Sequence, residues 1–222
     1  MRITAIVLAA CLLATGVAMA QKVDNADDVT VQERIGCITD NYVAYEYVGP
    51  GGNVPDGDVY GAVFGLLPTA EGETIEDVIL SVSINQTWIG DLRMWLLYDT
   101  DCDGYSDFVG QVLCRDGMPE CLPDGCCGCS GDLNGWYTFD DTAPSIEDEC
   151  LAGFPPGCYG PDYKSVGLDV FNGLPSGGCW MLWVADGAAG DLTTVHDWAA
   201  YVLYESTPVE HASWGTIKAL YR

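Results

Sequence analysis

Along much of this chain apolar and polar positions alternate with a period of two, in short runs separated by Gly, Pro, Asp and Asn. Leu92, Met94, Leu96 and Tyr98 fall on one side of an extended segment, and Arg93, Trp95, Leu97 and Asp99 on the other. Val78, Leu80, Val82 and Ile84 alternate in the same way with Ile79, Ser81, Ser83 and Asn85. Trp180, Leu182 and Val184 alternate with Met181, Trp183 and Ala185, and Trp198, Ala200, Val202 and Tyr204 form a last such stripe. No sustained helical period occurs. Short alternating strands with frequent turns predict an all-β chain, two packed antiparallel sheets in a jelly-roll-like sandwich of about eight strands.

The ends of the chain read differently. Residues 1–20 look like a secretory signal: Arg2 is its only charge, an apolar run covers 3–17, and Ala18, Met19 and Ala20 make a small-x-small cleavage site. A lipoprotein-type box at Leu8, Ala9, Ala10 and Cys11 is the less favoured alternative, which would anchor the chain through Cys11. Residues 21–53 are polar and acidic, hold one candidate strand over 42–48 and the single Cys37, and are expected to be an extension or linker. The sandwich is expected over 54–205. Residues 206–222 form a tail with two bases and several apolar residues, expected to pack on its own domain. Nothing beyond the leader is apolar enough over sufficient length to span a membrane.

Charge narrows the partners. One of the eight bases, Arg2, lies in the leader, so the chain beyond it carries seven bases against 33 acids. Such a chain repels nucleic acid and anionic membranes and attracts divalent cations. Ten cysteines lie beyond the leader: Cys37, Cys102, Cys114, Cys121, Cys126, Cys127, Cys129, Cys150, Cys158 and Cys179. An even number in an exported chain predicts up to five disulfides. A thiolate–metal cluster at 121–129 is the rival, but it needs reduced thiols and usually C-x-x-C pairs. The pairing itself is not readable from spacing.

The strand over 92–99 runs into D-x-D-x-D-G-x-x-D, which places Asp99, Asp101, Asp103 and Asp107 around Gly104. Calcium takes six to eight oxygens at about 2.3–2.6 Å, so carboxylates on alternate residues of a tight loop suit it, with the Tyr105 carbonyl as a further ligand. The twelfth position is Gly110, where an EF-hand has a bidentate Glu, so the expected affinity is weak, on the order of 10⁻⁴–10⁻³ M. The bland alternative is an acidic hairpin tip.

The segments I-N-Q-T-W-I-G-D-L, Y-T-F-D-D-T-A-P and L-D-V-F-N-G-L-P-S-G-G-C-W-M-L-W-V-A-D-G-A-A-G-D-L-T-T-V-H-D-W resemble the P domain (P/Homo B) that follows the catalytic domain of subtilisin-like proprotein convertases and of many secreted bacterial proteases. The resemblance spans about 150 residues. The matching positions are Gly90, Asp91 and Leu92; Phe139, Asp140 and Asp141; Phe171, Asn172 and Gly173; then Gly178, Trp180, Leu182, Val184, Asp186, Gly190, Asp191 and Trp198. It implies an eight-stranded jelly roll, and it implies that some of Asp91, Asp186, Asp191, Asp140 and Asp141 hold a structural cation. Turn-capping by these carboxylates is the equal alternative. Leu192, Thr193, Thr194 and Val195 stand where the family has T-G-x-L, and the 99–107 loop and the 114–132 block stand out as insertions.

Catalysis is not expected from this chain. A subtilisin-type triad needs Asp, His and then a glycine-flanked Ser, whereas His196 and His211 follow almost every serine. The expected role is a secreted, calcium-stabilised accessory or interaction module, with a separate serine protease or a cell-surface component as partner. The alternative is a carbohydrate- or surface-binding jelly roll using Trp95, Trp136 and Trp183 as stacking faces.

Overall fold

The computed structural model describes residues 21–22, 37–38, 41–114, 131–146, 154–162 and 165–205. Residues 1–20 with Cys11, the cysteine-rich block carrying Cys121, Cys126, Cys127 and Cys129, Cys150 and residues 206–222 lie outside them. The alternating stripes become strands: β1 (Gln21–Lys22), β2 (Val43–Glu46), β3 (Gly52–Asn53), β4 (Asp58–Pro68), β5 (Ile75–Gln86), β6 (Leu92–Asp99), β7 (Phe108–Cys114), β8 (Leu133–Phe139), β9 (Gly157–Tyr159), β10 (Cys179–Asp186) and β11 (Thr193–Tyr204). Eight of these have four or more residues.

They form two sheets. One has the order β1-β2-β11-β5-β8-β9, with β3 also on β11, and the other has the order β4-β10-β6-β7. Every pair is antiparallel except the short β8–β9 ladder. The predicted all-β sandwich is the observed fold. The candidate strand over 42–48 appears as β2 and pairs with β11, so the second half of the 21–53 stretch belongs to the larger sheet.

Register decides which stripe is inside. Val78, Leu80, Val82 and Ile84 on β5 face Leu92, Met94, Leu96 and Tyr98 on β6, Trp180, Leu182 and Val184 on β10, and Trp198, Ala200 and Val202 on β11 in one core. At the centre Trp180 lies against Tyr98, ring centroids 4.3 Å apart, and edge-on to Phe171 at 4.9 Å. Ile79, Ala199 and Tyr201 sit on the outer face of the larger sheet, covered by Ile38 and Tyr42 from the segment before β2. Cys37 bonds to Cys158 and so ties that segment down.

β4 escapes the period-two reading because it is irregular. Two shifts interrupt its pairing with β10, and Gly61 sits in the left-handed region at φ 55°. A Cβ there would lie 2.1 Å from the Val184 carbonyl oxygen. Gly61→Ala is therefore expected to cost about 2 kcal/mol or more, as strain plus overpacking. A urea midpoint unchanged from wild type would contradict this register.

Candidate metal centre and the two ends of the sandwich

The turn between β6 and β7 is built from its own carboxylates. Asp107 donates its amide to the Tyr98 carbonyl at 2.9 Å and closes the hairpin. Asp99, fully buried at the end of β6, accepts the Gly104 amide at 2.7 Å and the Asp101 amide at 3.3 Å. Asp101 accepts from the Asp103 amide and Asp103 from the Tyr105 amide. Asp107 accepts the Thr100 amide at 3.0 Å and the Thr100 hydroxyl. Cys102 takes a left-handed φ of 58° and is bonded to Cys179, the first residue of β10. The neighbouring strand thus holds the loop in place.

This folding gathers part of the predicted ligand set. One carboxylate oxygen from each of Asp99, Asp101 and Asp107 lies within 4.8 Å of the other two. Two ligands of a single calcium lie at most about 5 Å apart, twice the bond length, so these three fit one ion. Asp103 is not in that group and serves the Tyr105 amide instead. The electrostatics match crowded carboxylates. The Asp103 charge leads in raising the Asp101 pKa, while the bonds from Thr100 lower that of Asp107. Thr100 is the participant that motif spacing did not single out, although it lies inside the loop.

The second set of aspartates is divided between the two ends. Asp140 and Asp141 follow β8 at the end that also carries the 99–107 loop. Asp140 caps the Thr142 amide and hydroxyl at 2.8 and 2.7 Å. Asp141 accepts the Leu168 and Asp169 amides, each at 2.7 Å, and burial raises its pKa. Asp77, unremarked in the sequence, lies at this end too. It accepts the Tyr42 hydroxyl at 2.5 Å, and burial leads in raising its pKa. Cys37, Asp140 and Cys158 also bring potential ligand atoms within 4.8 Å of one another, but the two sulfurs are joined as a disulfide and offer no thiolate.

Asp91, Asp186 and Asp191 lie at the opposite end. Asp91 ends a short 3₁₀ turn (Ile89–Asp91), and its carbonyl accepts the Gly187 amide at 2.8 Å. Asp191 accepts the Thr87 hydroxyl at 2.7 Å. Asp186 is fully buried at the end of β10, next to Gln86 and Thr193. Asp56, absent from the predicted set, accepts the Gly190 amide at 3.1 Å here.

The tryptophans expected to offer stacking faces lie on sheet exteriors. Trp95 and Trp183 stack on one another with centroids 4.4 Å apart, Arg93 lies 5.9 Å over Trp95, and the Trp183 indole donates to the Tyr60 carbonyl at 2.8 Å. Trp136 is half-buried on β8 opposite Ser83. Cys114 is also disulfide-bonded. Disulfides form and persist in an oxidising environment. Among the described residues no helix is long and apolar enough to cross a membrane.

No family model and no curated protein matches the chain. Among solved structures it is similar to a serine protease of Aeromonas sobria in a complex with a chaperone, at 14% identity and a TM-score of 0.40, covering 75% of this chain and 26% of that one. It is similar also to a structure of the Aeromonas sobria serine protease, at 15% identity and a TM-score of 0.39, covering 74% of this chain and 26% of that one. The chain thus spans about a quarter of the proteins it matches, and likenesses this remote carry no argument about function.

Proposed function

We propose that this chain is a secreted, non-catalytic P/Homo B-type module that binds calcium in its 99–107 loop. It works as an accessory or interaction domain of the kind attached to subtilisin-like serine endopeptidases. The observation that carries the reading is the convergence of Asp99, Asp101 and Asp107 oxygens within 4.8 Å on a hairpin tip that Cys102–Cys179 fixes to β10. The family part rests on the motif residues. Trp180, Leu182, Val184 and Trp198 fill the core, Gly90 and Asp91 lie in the 3₁₀ turn directly before β6, and Asn172 follows the 3₁₀ turn Asp169–Phe171, where the Gly173 amide donates to the Ile75 carbonyl.

Calcium at this tip binds the folded loop and not the unfolded chain, so it raises stability by mass action. With a dissociation constant near 10⁻³ M, 10 mM calcium adds about 1.4 kcal/mol, or roughly 3–6 °C in melting temperature. The melt is compared in 10 mM calcium and in EDTA. Asp101→Asn with Asp107→Asn should abolish the difference. Indistinguishable wild-type melts would end the calcium assignment. The protease association is tested apart from it, by whether a serine protease co-purifies from the culture medium with the tagged chain and is stabilised by it.

A further inference from the structure

The outer face of the seven-stranded sheet is closed at one end and open at the other. Towards the calcium loop, Ile38 and Tyr42 pack over Ile79, Ala199 and Tyr201. In the next rank Ser81 and Thr138 are buried, their hydroxyls 3.2 Å apart. Towards the opposite end the face opens. Asn53, Asn85 and Asn134 are exposed there, and Ser83, Trp136 and Thr194 are half-buried.

Register sets four of these side by side. Thr194 on β11 pairs with Asn53 on β3 and with Asn85 on β5, and Asn85 pairs with Asn134 on β8. One hydrogen-bonding side chain per strand thus stands in a single rank, over three strand spacings or about 14 Å. Thr194 Oγ1 donates to Asn53 Oδ1 at 2.8 Å, which leaves Asn53 Nδ2 as the donor of that amide. Trp136 stands two residues beyond Asn134 on the same face, opposite Ser83, so an indole adjoins the rank. Asn is depleted in strands, where its side chain competes for backbone hydrogen bonds. Three of them in one rank of four therefore do nothing to favour the sheet.

We infer that the open end of this face is a binding ledge for an extended, uncharged polysaccharide. The four polar side chains of the rank hydrogen-bond sugar hydroxyls, and Trp136 stacks on one ring. Charge selects this ligand. No Lys or Arg stands in the rank or in the neighbouring one of Asp197, Ser83 and Trp136, and the chain has 33 acids against eight bases. An anionic glycan is repelled by that excess. Carboxamides and a hydroxyl donate and accept without charge, as the hydroxyls of a neutral sugar require, and an indole face suits the apolar face of a pyranose. Asp197, whose Oδ1 accepts the Trp198 amide at 2.8 Å, adds only an acceptor. Polar groups one strand apart, about 4.8 Å, match a ribbon-like chain with roughly one ring per strand, and a coiled chain does not lie along them. Trp95 and Trp183 do not compete for this role, since they stack on each other at 4.4 Å.

The ledge lies at the end away from the 99–107 loop, so its test runs in EDTA and is separate from the calcium assignment. The full secreted chain with its disulfides intact is titrated calorimetrically with cellohexaose, xylohexaose and chitohexaose, which are extended, and with maltohexaose, which coils. At least one extended hexasaccharide should bind, about tenfold or more tighter than maltohexaose. Replacing Asn85 and Asn134 together by Ala removes two hydrogen-bonding groups and should weaken that binding about 10- to 100-fold. Both positions are exposed, so the melt should stay at the wild-type value. Trp136→Ala should weaken binding at least as much; if it does not fold, the asparagine pair decides alone. Binding of none of the four sugars would overturn the proposal, as would equal binding of maltohexaose or affinity untouched by the Asn85/Asn134 variant. Binding that needs calcium, or that is lost in Trp183→Ala and kept in Trp136→Ala, would place the sugar elsewhere and overturn it too.

Discussion

Trp180→Ala is expected to lower the unfolding free energy by about 3–5 kcal/mol, the range for deleting a fully buried large aromatic. Trp180 has no exposed surface and stands between Tyr98 and Phe171, so truncation opens a cavity whose walls come from β6, β10 and the short 3₁₀ turn Asp169–Phe171. Those walls cannot close easily. Tyr98 is held through its hydroxyl, which donates to the Pro175 carbonyl at 2.8 Å and accepts the Gly178 amide at 2.9 Å. One term works the other way: the indole N–H is buried without a hydrogen-bond partner, so its removal relieves a desolvated donor. That places the result nearer 3 than 5 kcal/mol, or roughly 6–12 °C in melting temperature for a chain of this size. Against a total of about 5–15 kcal/mol for a typical domain, the variant should remain folded at room temperature, with a clearly lower urea midpoint. A loss below about 1 kcal/mol would mean that β10 does not pack where the two sheets meet.

Replacing Cys37 and Cys158 together by serine is expected to cost about 3–5 kcal/mol. The bridge spans a sequence separation of 121, and in the chain-entropy account a closed loop of this length restricts the unfolded ensemble by close to 5 kcal/mol. The 77-residue separation of Cys102–Cys179 gives about 0.4 kcal/mol less on the same logarithmic scale. The Cys37 bridge also has a local duty. It holds the segment whose Ile38 and Tyr42 cover Ile79, Ala199 and Tyr201, and whose β2 extends the larger sheet beyond β11. Amide exchange in the double mutant should therefore accelerate first in β2, while β6 and β10 keep their protection relative to global unfolding. Uniform acceleration across both sheets would show that the bridge acts on the unfolded state alone.

The strands that could be read from the sequence are those whose two faces differ. β5, β6, β10 and β11 each set large apolar residues against a different opposite face, and a period of two survives any detail of the pairing partner. β4 could not be read in the same way, because Gly61 and two register shifts break its alternation. β3 and β9 are too short to carry a pattern, and they exist because β11 and β8 offer them an edge. The aspartate loop was legible for a related reason. Its residues are neighbours in sequence, so spacing along the chain nearly equals spacing in space. Even there, Asp103 stays exposed and accepts the Tyr105 amide, apart from the three carboxylates that converge, a backbone decision that spacing does not express.

What the sequence determined alone was local: two-faced strands, an acid-rich tip, an even set of cysteines after residue 20, and a charge balance that repels polyanions. What only the tertiary structure decided was every relation between distant residues. It joined Cys37 to Cys158 and Cys102 to Cys179, and it sent Asp140 and Asp141 to one end of the sandwich and Asp91, Asp186 and Asp191 to the other. It also closed Gln86, Thr193 and Asp186 into one buried group across 107 residues of chain. The physical reason is that residue type and local spacing set which face a side chain prefers, whereas sheet order and register set what it meets there.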